Sequence, residues 1–402
     1  MSTTLRLAVI SDIHAASAQH DHSRGSHVVV PAPAGRGNPI DDLRELIKGG
    51  ALGAVDYLVC PGDITNQADP DAFQWMWARL RETASSIGAT EILATCGNHD
   101  LDSRYLADAR VDDPDAKGAI LGLANRFPEL SEAEHNEFWA HNFVVLERAK
   151  PIAHRVTLLN TCAYHGLVES EIKHGRISGR TIKRIVERLR GRPRVGLNIL
   201  VCHHHLSPLP SWDTSPDYQY VKKGSELLRE LECLDIGPWL IVHGHRHWPD
   251  CVYALGGSSS PVLFCAGSFG KAEPQVVNQF HILNVEVDSH ASRPSGTVQT
   301  WFWSLSAGWQ PSVSGDSLRA LSFQSGFGFN GSIPKLVDDV ISALPTNGSF
   351  MEWLDLVTGI PNLRFLLPRD FEILRNALKL KGARIHVEDG QPLQVGLRGI
   401  KP

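Results

Sequence analysis

Five apolar runs in this chain each end in side chains that can bind cations or move protons. "AVISDIH" supplies Asp12 and His14, and "LVCPGD" supplies Asp63. "TCGNHD" supplies Asn98, His99 and Asp100. "LVCHHH" supplies His203, His204 and His205, and "LIVHGHRH" supplies His243, His245 and His247. Carboxylates, imidazoles and one amide oxygen, without thiolate, suit Mn, Fe or Zn in mixed nitrogen and oxygen coordination. These are more candidate ligands than one tetrahedral ion takes, and they suit two ions that share a carboxylate. In Asp12-x-His14 and His245-x-His247, alternate side chains of an extended segment project to the same side. Each cluster alone is ambiguous, because D-x-H triplets are common and Asn and Asp also make turns. Five of them at five strand ends are not.

The runs that carry these clusters have strand length. They are 5–10, 55–60, 91–96, 155–161, 196–202, 238–243 and 261–267, apolar nearly throughout and bounded by Gly, Pro or Asp. Such runs fit strands covered on both faces. Helical patterns lie between several of them. "PIDDLRELIKGG" places Leu43, Leu46 and Ile47 at helical spacing, and the segment after Asp71 places Phe73, Met76, Trp77 and Leu80 on one face. "SGRTIKRIVERLRG" aligns Ile182, Ile185, Val186 and Leu189, with Ser178 as cap. Strands alternating with helices predict a layered α/β fold. In such sheets ligands gather outside the carboxyl ends of the strands, so the five clusters converge in space.

The later part differs. Segments 280–288 and 298–304 read as antiparallel strands, and 312–334 is a Gly/Ser-rich linker or loop. Beyond it lies a mostly helical C-terminal extension. The boundary is placed near residue 312, giving a main domain over 1–312 and an accessory domain over 313–402. Residues 15–39 form a long irregular insertion, of a length that marks a functional or disordered loop, and a lid is one reading of it.

Composition limits the function. The 402 residues carry 39 basic and 44 acidic side chains, a formal net charge of -5. That argues against a broad nucleic-acid or anionic-membrane surface, though not against a local basic patch. No apolar stretch is long enough for a membrane span, and the polar start is no signal peptide. Seven cysteines, Cys60, Cys96, Cys162, Cys202, Cys233, Cys251 and Cys265, are odd in number and lack a CxxC. A disulfide framework and a zinc ribbon are therefore rejected, and a cytoplasmic location is expected. Cys60, Cys96 and Cys202 read as small buried residues beneath a site.

The order D-x-H, GD, GNHD, strand-terminal His, GHxH resembles that of the calcineurin-like metallophosphoesterases. The likeness covers about residues 5–305 and includes "AGS" at 266–268. It implies an α/β fold, a β-sandwich flanked by helices, with a dinuclear metal centre. It implies one ion on Asp12, His14, Asp63 and His247, and another on Asp63, Asn98, His203 and His245, with Asp63 bridging. His204 is the alternative to His203. It further implies in-line attack on phosphorus by a metal-bridging hydroxide, with His99 as general acid for the leaving alkoxide. Asp100 would orient His99, and Gly97 would let the backbone turn off its strand. The expected substrate is a small phosphoester, a cyclic nucleotide or glycerophosphodiester type being favoured. A nuclease of the same family and a non-catalytic scaffold are the rivals, and the C-terminal extension is a candidate site for a protein partner.

Other residues have plainer readings. His20, His22 and His27 lie in the insertion as solvated loop histidines. His165, His174 and Tyr164 are candidates to line the substrate pocket. His243 sits within a strand behind the ligands. The charges of "GRTIKRIVERLRGRPR" are the solvated side of a helix. Trp75, Trp77, Trp301 and Trp303 are packing residues.

Overall fold

The computed structural model describes residues 3–19, 25–31, 37–103, 115–166, 171–208, 217–254, 260–312, 320–322, 324–346, 349–388 and 390–397. The chain opens with β1 (Thr3–Val9), the short strands β2 (Ala16–Ser17) and β3 (Val29–Val30), and α1 (Pro39–Lys48). β4 (Tyr57–Cys60), α2 (Pro70–Ser86), β5 (Glu91–Ala94), α3 (Gly118–Leu121) and α4 (Glu132–His141) follow. Then come β6 (Phe143–Arg148), β7 (His154–Leu159), α5 (Gly179–Leu189), β8 (Asn198–Cys202), α6 (Gly224–Glu232) and β9 (Trp239–His243). β10 (Asp250–Tyr253), β11 (Val262–Cys265), β12 (Gln279–Val287), β13 (Ser295–Ser304), β14 (Gly308–Pro311) and β15 (Gln324–Phe327) complete two sheets.

One sheet has the order β14-β13-β12-β1-β4-β5, with β15 also on β13. The other has the order β10-β11-β9-β8-β7-β6. The strands that end at the polar clusters run parallel to their neighbours: β1 with β4, β4 with β5, and β8 with β9. Their carboxyl ends therefore open on one side. Alternation along each strand, with apolar cover on both faces, explains why the runs are apolar nearly throughout. Leu5, Leu7 and Val9 of β1 pack with Ile199 and Val201 of β8 between the sheets. Ala8 of β1 and Leu58 of β4 face α1 and α2 on the outer side, together with Phe73, Met76, Trp77 and Leu80. Leu200 and Cys202 face α5 and α6. The result is a two-sheet sandwich with a helical layer on each side: the alternating pattern predicts the layered α/β fold, and the resemblance implies the sandwich.

The helices start where capping chemistry places them. Asn38 accepts from the Ile40 N–H ahead of α1, Asp69 from the Ala72 N–H ahead of α2, and Ser178 from the Thr181 N–H ahead of α5. Arg188 of α5 pairs with Glu137, which fits a solvated charged face. No described helix is long and apolar enough to cross a membrane.

The C-terminal region holds α7 (Ile333–Ala343), β16 (Met351–Glu352), α8 (Trp353–Gly359), a 3-10 turn (Pro361–Phe365), α9 (Pro368–Leu380), β17 (Ala383–Glu388) and β18 (Gln391–Leu397). It has its own core around Leu336, Val340, Leu374, Leu378 and Val395. The predicted linker needs a correction, because part of it is β15. Phe327 is buried in the inter-sheet core, and Gly326 lets the Arg364 backbone pass too close for any side chain. Residues 313–319 of that stretch lie outside the described residues.

Candidate metal centre

The loops after β1, β4, β5, β8 and β9 bring Asp12, His14, Asp63, Asn98, His203, His245 and His247 together. The backbone there is unusual. Nine non-glycine residues with positive φ are found among the described residues, and five are Asp12, His14, Asp63, His245 and His247. L-residues adopt this region rarely, and such conformations collect at functional sites. This corrects the extended D-x-H and H-x-H segments expected from sequence: each pair is displayed from a left-handed turn.

Hydrogen bonds hold the turns. The His245 N–H donates to both Asp12 carboxylate oxygens at 3.1 Å, and the Ser11 hydroxyl donates to Oδ2 at 2.7 Å. The Ser268 hydroxyl, in the "AGS" segment, donates to the Asp12 carbonyl at 2.7 Å. The His99 N–H donates to Asp63 Oδ1 at 2.7 Å, leaving Oδ2 turned to the histidines. The chain turns at Gly97, whose carbonyl accepts from the Asp100 N–H at 3.3 Å, and close approach requires the glycine, because a Cβ there would collide with the Asp63 carboxylate. Gly244 likewise admits Ser11 and Asp12.

Donor atoms converge as they would around ions. Asn98 Oδ1 lies 3.1 Å from both His203 Nε2 and His245 Nδ1, which are 3.3 Å apart. His203 Nε2 is 3.3 Å from Asp63 Oδ2. Ligands about 2.1 Å from one ion stand about 3.0–3.4 Å apart at octahedral or tetrahedral angles. Asp63 Oδ2 is also 3.7 Å from His14 Nε2, and Asp12 Oδ1 is 3.4 Å from His247 Nδ1. One oxygen of Asp63 thus faces both donor sets. His14 Nε2 and His247 Nδ1 are buried and have no hydrogen-bond partner, which for buried nitrogens calls for an explanation such as an ion.

The electrostatics point the same way. Burial, with Asp63 adding, pushes Asp12 up to about 7. Burial, then Asp63, does the same to Asp100, also to about 7. Burial keeps His14 and His245 well below the usual imidazole range and His247 down at about 3, so their nitrogens keep lone pairs. Burial opposes a charge on His203 too, but Asp63 outweighs it and raises His203 to about 9. Buried carboxylates with so little positive charge among them form a seat for cations. The nitrogen and oxygen donors, the orphaned nitrogens and the shared carboxylate fit a two-metal site.

Of the three consecutive histidines, His203 points at the other donors. His204 instead bonds Thr161 through Nδ1 at 2.9 Å and packs against the His245 ring, at 4.3 Å between centroids. His205 bonds Asp217 at 2.7 Å, and Asp217 also takes Arg246 at 3.1 Å. That carboxylate ties the loops bearing His203 and His245. His243 is fully buried, with its ring against His205.

His99 is half-buried beside the centre, its ring edge-on to His14 at 4.7 Å. Its orienting partner corrects the sequence reading. Asp100 accepts from the Thr65 N–H at 2.9 Å and the Gly97 N–H at 2.8 Å, so it braces the loop. Asn66 Oδ1 holds His99 Nδ1 at 2.9 Å. Sequence reasoning missed Asn66, and nothing in "GDITN" marks it.

The remaining candidates sit further back. His165 bonds Ser103 and the His174 carbonyl, His174 pairs with Glu171 at 3.0 Å, and Tyr164 lies under Arg176. His27 packs on Trp303, with its N–H on the Gly270 carbonyl, so this part of the insertion is pinned down. His20 and His22 lie outside the described residues. Trp77, Trp301 and Trp303 are core residues, and Trp75 packs against them.

The sequence profile of the calcineurin-like phosphoesterases matches residues 5–255. A second profile, described as wHTH-Calcineurin_assc, matches residues 325–380. No curated protein matches the chain. Among solved structures, purple acid phosphatase from yellow lupin (Lupinus luteus) seeds is similar at 12% identity and TM-score 0.48. The match covers 77% of this chain and 53% of that one, so the chain spans about half its length. A dimetal phosphatase from Danio rerio is similar at 12% identity and TM-score 0.43, over 74% of this chain and 95% of that one. The calcineurin-like phosphoesterase YfkN from Bacillus subtilis is similar at 11% identity and TM-score 0.40, over 77% and 93%.

Proposed function

The chain belongs to the calcineurin-like phosphoesterase family, and from that premise we propose that it is a two-metal hydrolase of a small phosphodiester. The observation that carries this reading is the placement of Asp63 Oδ2 between two sets of nitrogen and oxygen donors. Asp12, His14, Asp63 and His247 would hold one divalent cation, and Asp63, Asn98, His203 and His245 the other. When bound, the two cations supply Lewis acidity and an attacking water that is acidic at neutral pH. Mn, Fe and Zn all suit these donors.

The chain's own groups do the rest. His99, held through Nδ1 by Asn66, offers its other nitrogen to the oxygen that leaves phosphorus and gives it a proton. Asp100, between the N–H groups of Thr65 and Gly97, keeps His99 and Asn98 in register with Asp63. The catalytic unit is assigned to residues 1–312 and the accessory unit to 313–402, with β15 lending a strand to the first. Six of the seven thiols are free and buried, which suits a reducing compartment such as the cytoplasm.

A phosphoester panel tests the substrate. After chelation and reloading with Mn, Fe or Zn, we expect small diesters (a cyclic nucleotide, a glycerophosphodiester) to give the highest kcat/KM. A higher kcat/KM for monoesters, or for long oligonucleotides, would replace this reading with a phosphatase or a nuclease.

A further inference from the structure

The accessory unit carries a charged groove that the metal centre does not use. It is open, about 820 Å³, and runs between α9 and β17, the edge strand of the sheet β16-β18-β17. Arg375 and Lys379 stand one turn apart on the exposed face of α9. Arg384 and His386 are alternate, exposed residues of β17 and so share a face of that strand. Arg375 pairs with Glu372 at 2.7 Å. Lys379, Arg384 and His386 have no ion pair among the described residues, whereas nearby Lys335 and Lys381 are paired with Asp339 and Asp338. Asn376 adds an amide to the wall.

The spacing of these groups points to a polymer. Helix neighbours four apart lie about 5–6 Å from each other, and alternate strand residues about 6.6 Å. Three cations spaced along two adjacent elements, Arg375 and Lys379 on α9 and Arg384 on β17, match a chain of regularly repeated anions better than one isolated phosphate. Phe350 lines the same groove, 58% exposed, its ring lying over Gly396. An exposed ring beside a row of cations is a platform for stacking an unpaired base.

We propose that the α9–β17 groove binds single-stranded nucleic acid, its cations on the phosphodiester backbone and Phe350 against a base. This goes beyond the hydrolytic function and does not rest on it. The net charge of -5 is no obstacle, because the positive charge is local.

The test uses the full chain with its metals and a short labelled oligothymidylate carrying phosphorothioate linkages, followed by fluorescence anisotropy. Binding should weaken with salt, with a log–log slope of about −2 for three phosphate contacts. Lys379→Glu with Arg384→Glu should lower affinity at least tenfold, about, and flatten the slope. The milder pair Lys379→Gln with Arg384→Gln should lower it in the same direction if the reversal unfolds the unit. Phe350→Ala should lower affinity by about tenfold with the slope unchanged. Hydrolysis of a nitrophenyl phosphoester should be the same in all of these variants. No binding at low salt overturns the proposal. So does binding that survives both charge pairs, which places the strand elsewhere, or a Phe350→Ala variant of unchanged affinity. Equal affinity for a polyglutamate peptide assigns the groove to acidic proteins and overturns it as well.

Discussion

Replacing His99 by alanine is expected to leave both cations in place and to slow hydrolysis of a poor leaving group by about 10²–10⁴-fold. A poor leaving alkoxide needs a proton as its bond to phosphorus breaks, whereas a nitrophenolate departs with little help. The same variant should therefore cleave a nitrophenyl ester nearly as fast as the parent. The reason is positional: the His99 ring is fixed by Asn66, half-exposed, and stands edge-on to His14. The competing role is ligation, since a nitrogen of His99 lies within 4.8 Å of donors on His14 and Asp63. Kinetics on both substrates, with elemental analysis of the purified variant, separate the two roles. Loss of a cation, or equal slowing of both substrates with cations intact, would remove His99 from the general-acid role.

Asp63→Asn is expected to weaken both sites together. The carboxylate faces His203 on one side and His14 on the other through a single oxygen. An amide is nearly the same size but carries no charge to offset two cations. Loss of groups that merely support a metal costs about 10–100-fold in affinity, and loss of the shared anion should cost at least the upper figure at each site. His203 supplies a second readout. Its imidazole is raised to about 9, burial opposing and Asp63 favouring the charge, so in metal-free Asp63→Asn it should titrate lower, as followed by NMR. Two full equivalents of metal with normal turnover in this variant would show that Asp63 bridges nothing.

Much of this site could be read from the sequence because of how its strands are covered. β4, β8 and β9 bury both faces and β1 nearly does, so they appear as almost unbroken apolar runs, and the first polar residues beyond them stand out. The five clusters stand out in this way, and the resemblance to the calcineurin-like metallophosphoesterases singles out seven donors among them. What stayed hidden depends on backbone angles and on distant contacts. Asp12, His14, Asp63, His245 and His247 have positive φ, and their side-chain types do not announce it as glycine would. Asp100 follows His99 directly and invites the reading that it orients the ring. The fold turns its carboxylate back onto the N–H groups of Thr65 and Gly97 and lets Asn66, 33 positions away, take that place. β15 lies in a Gly/Ser-rich stretch that reads as linker or loop, and it becomes a strand through pairing with the distant β13.

The central claim is that two cations share Asp63 and act together on a phosphoester. The most direct test is to titrate metal-free protein with Mn while following bound metal and phosphodiester hydrolysis in the same samples. Two equivalents should bind, with turnover rising mainly as the second fills, and Asn98→Ala should retain about one and stay inactive. Full turnover at one equivalent or fewer in the parent, or an active Asn98→Ala variant holding a single ion, would contradict it.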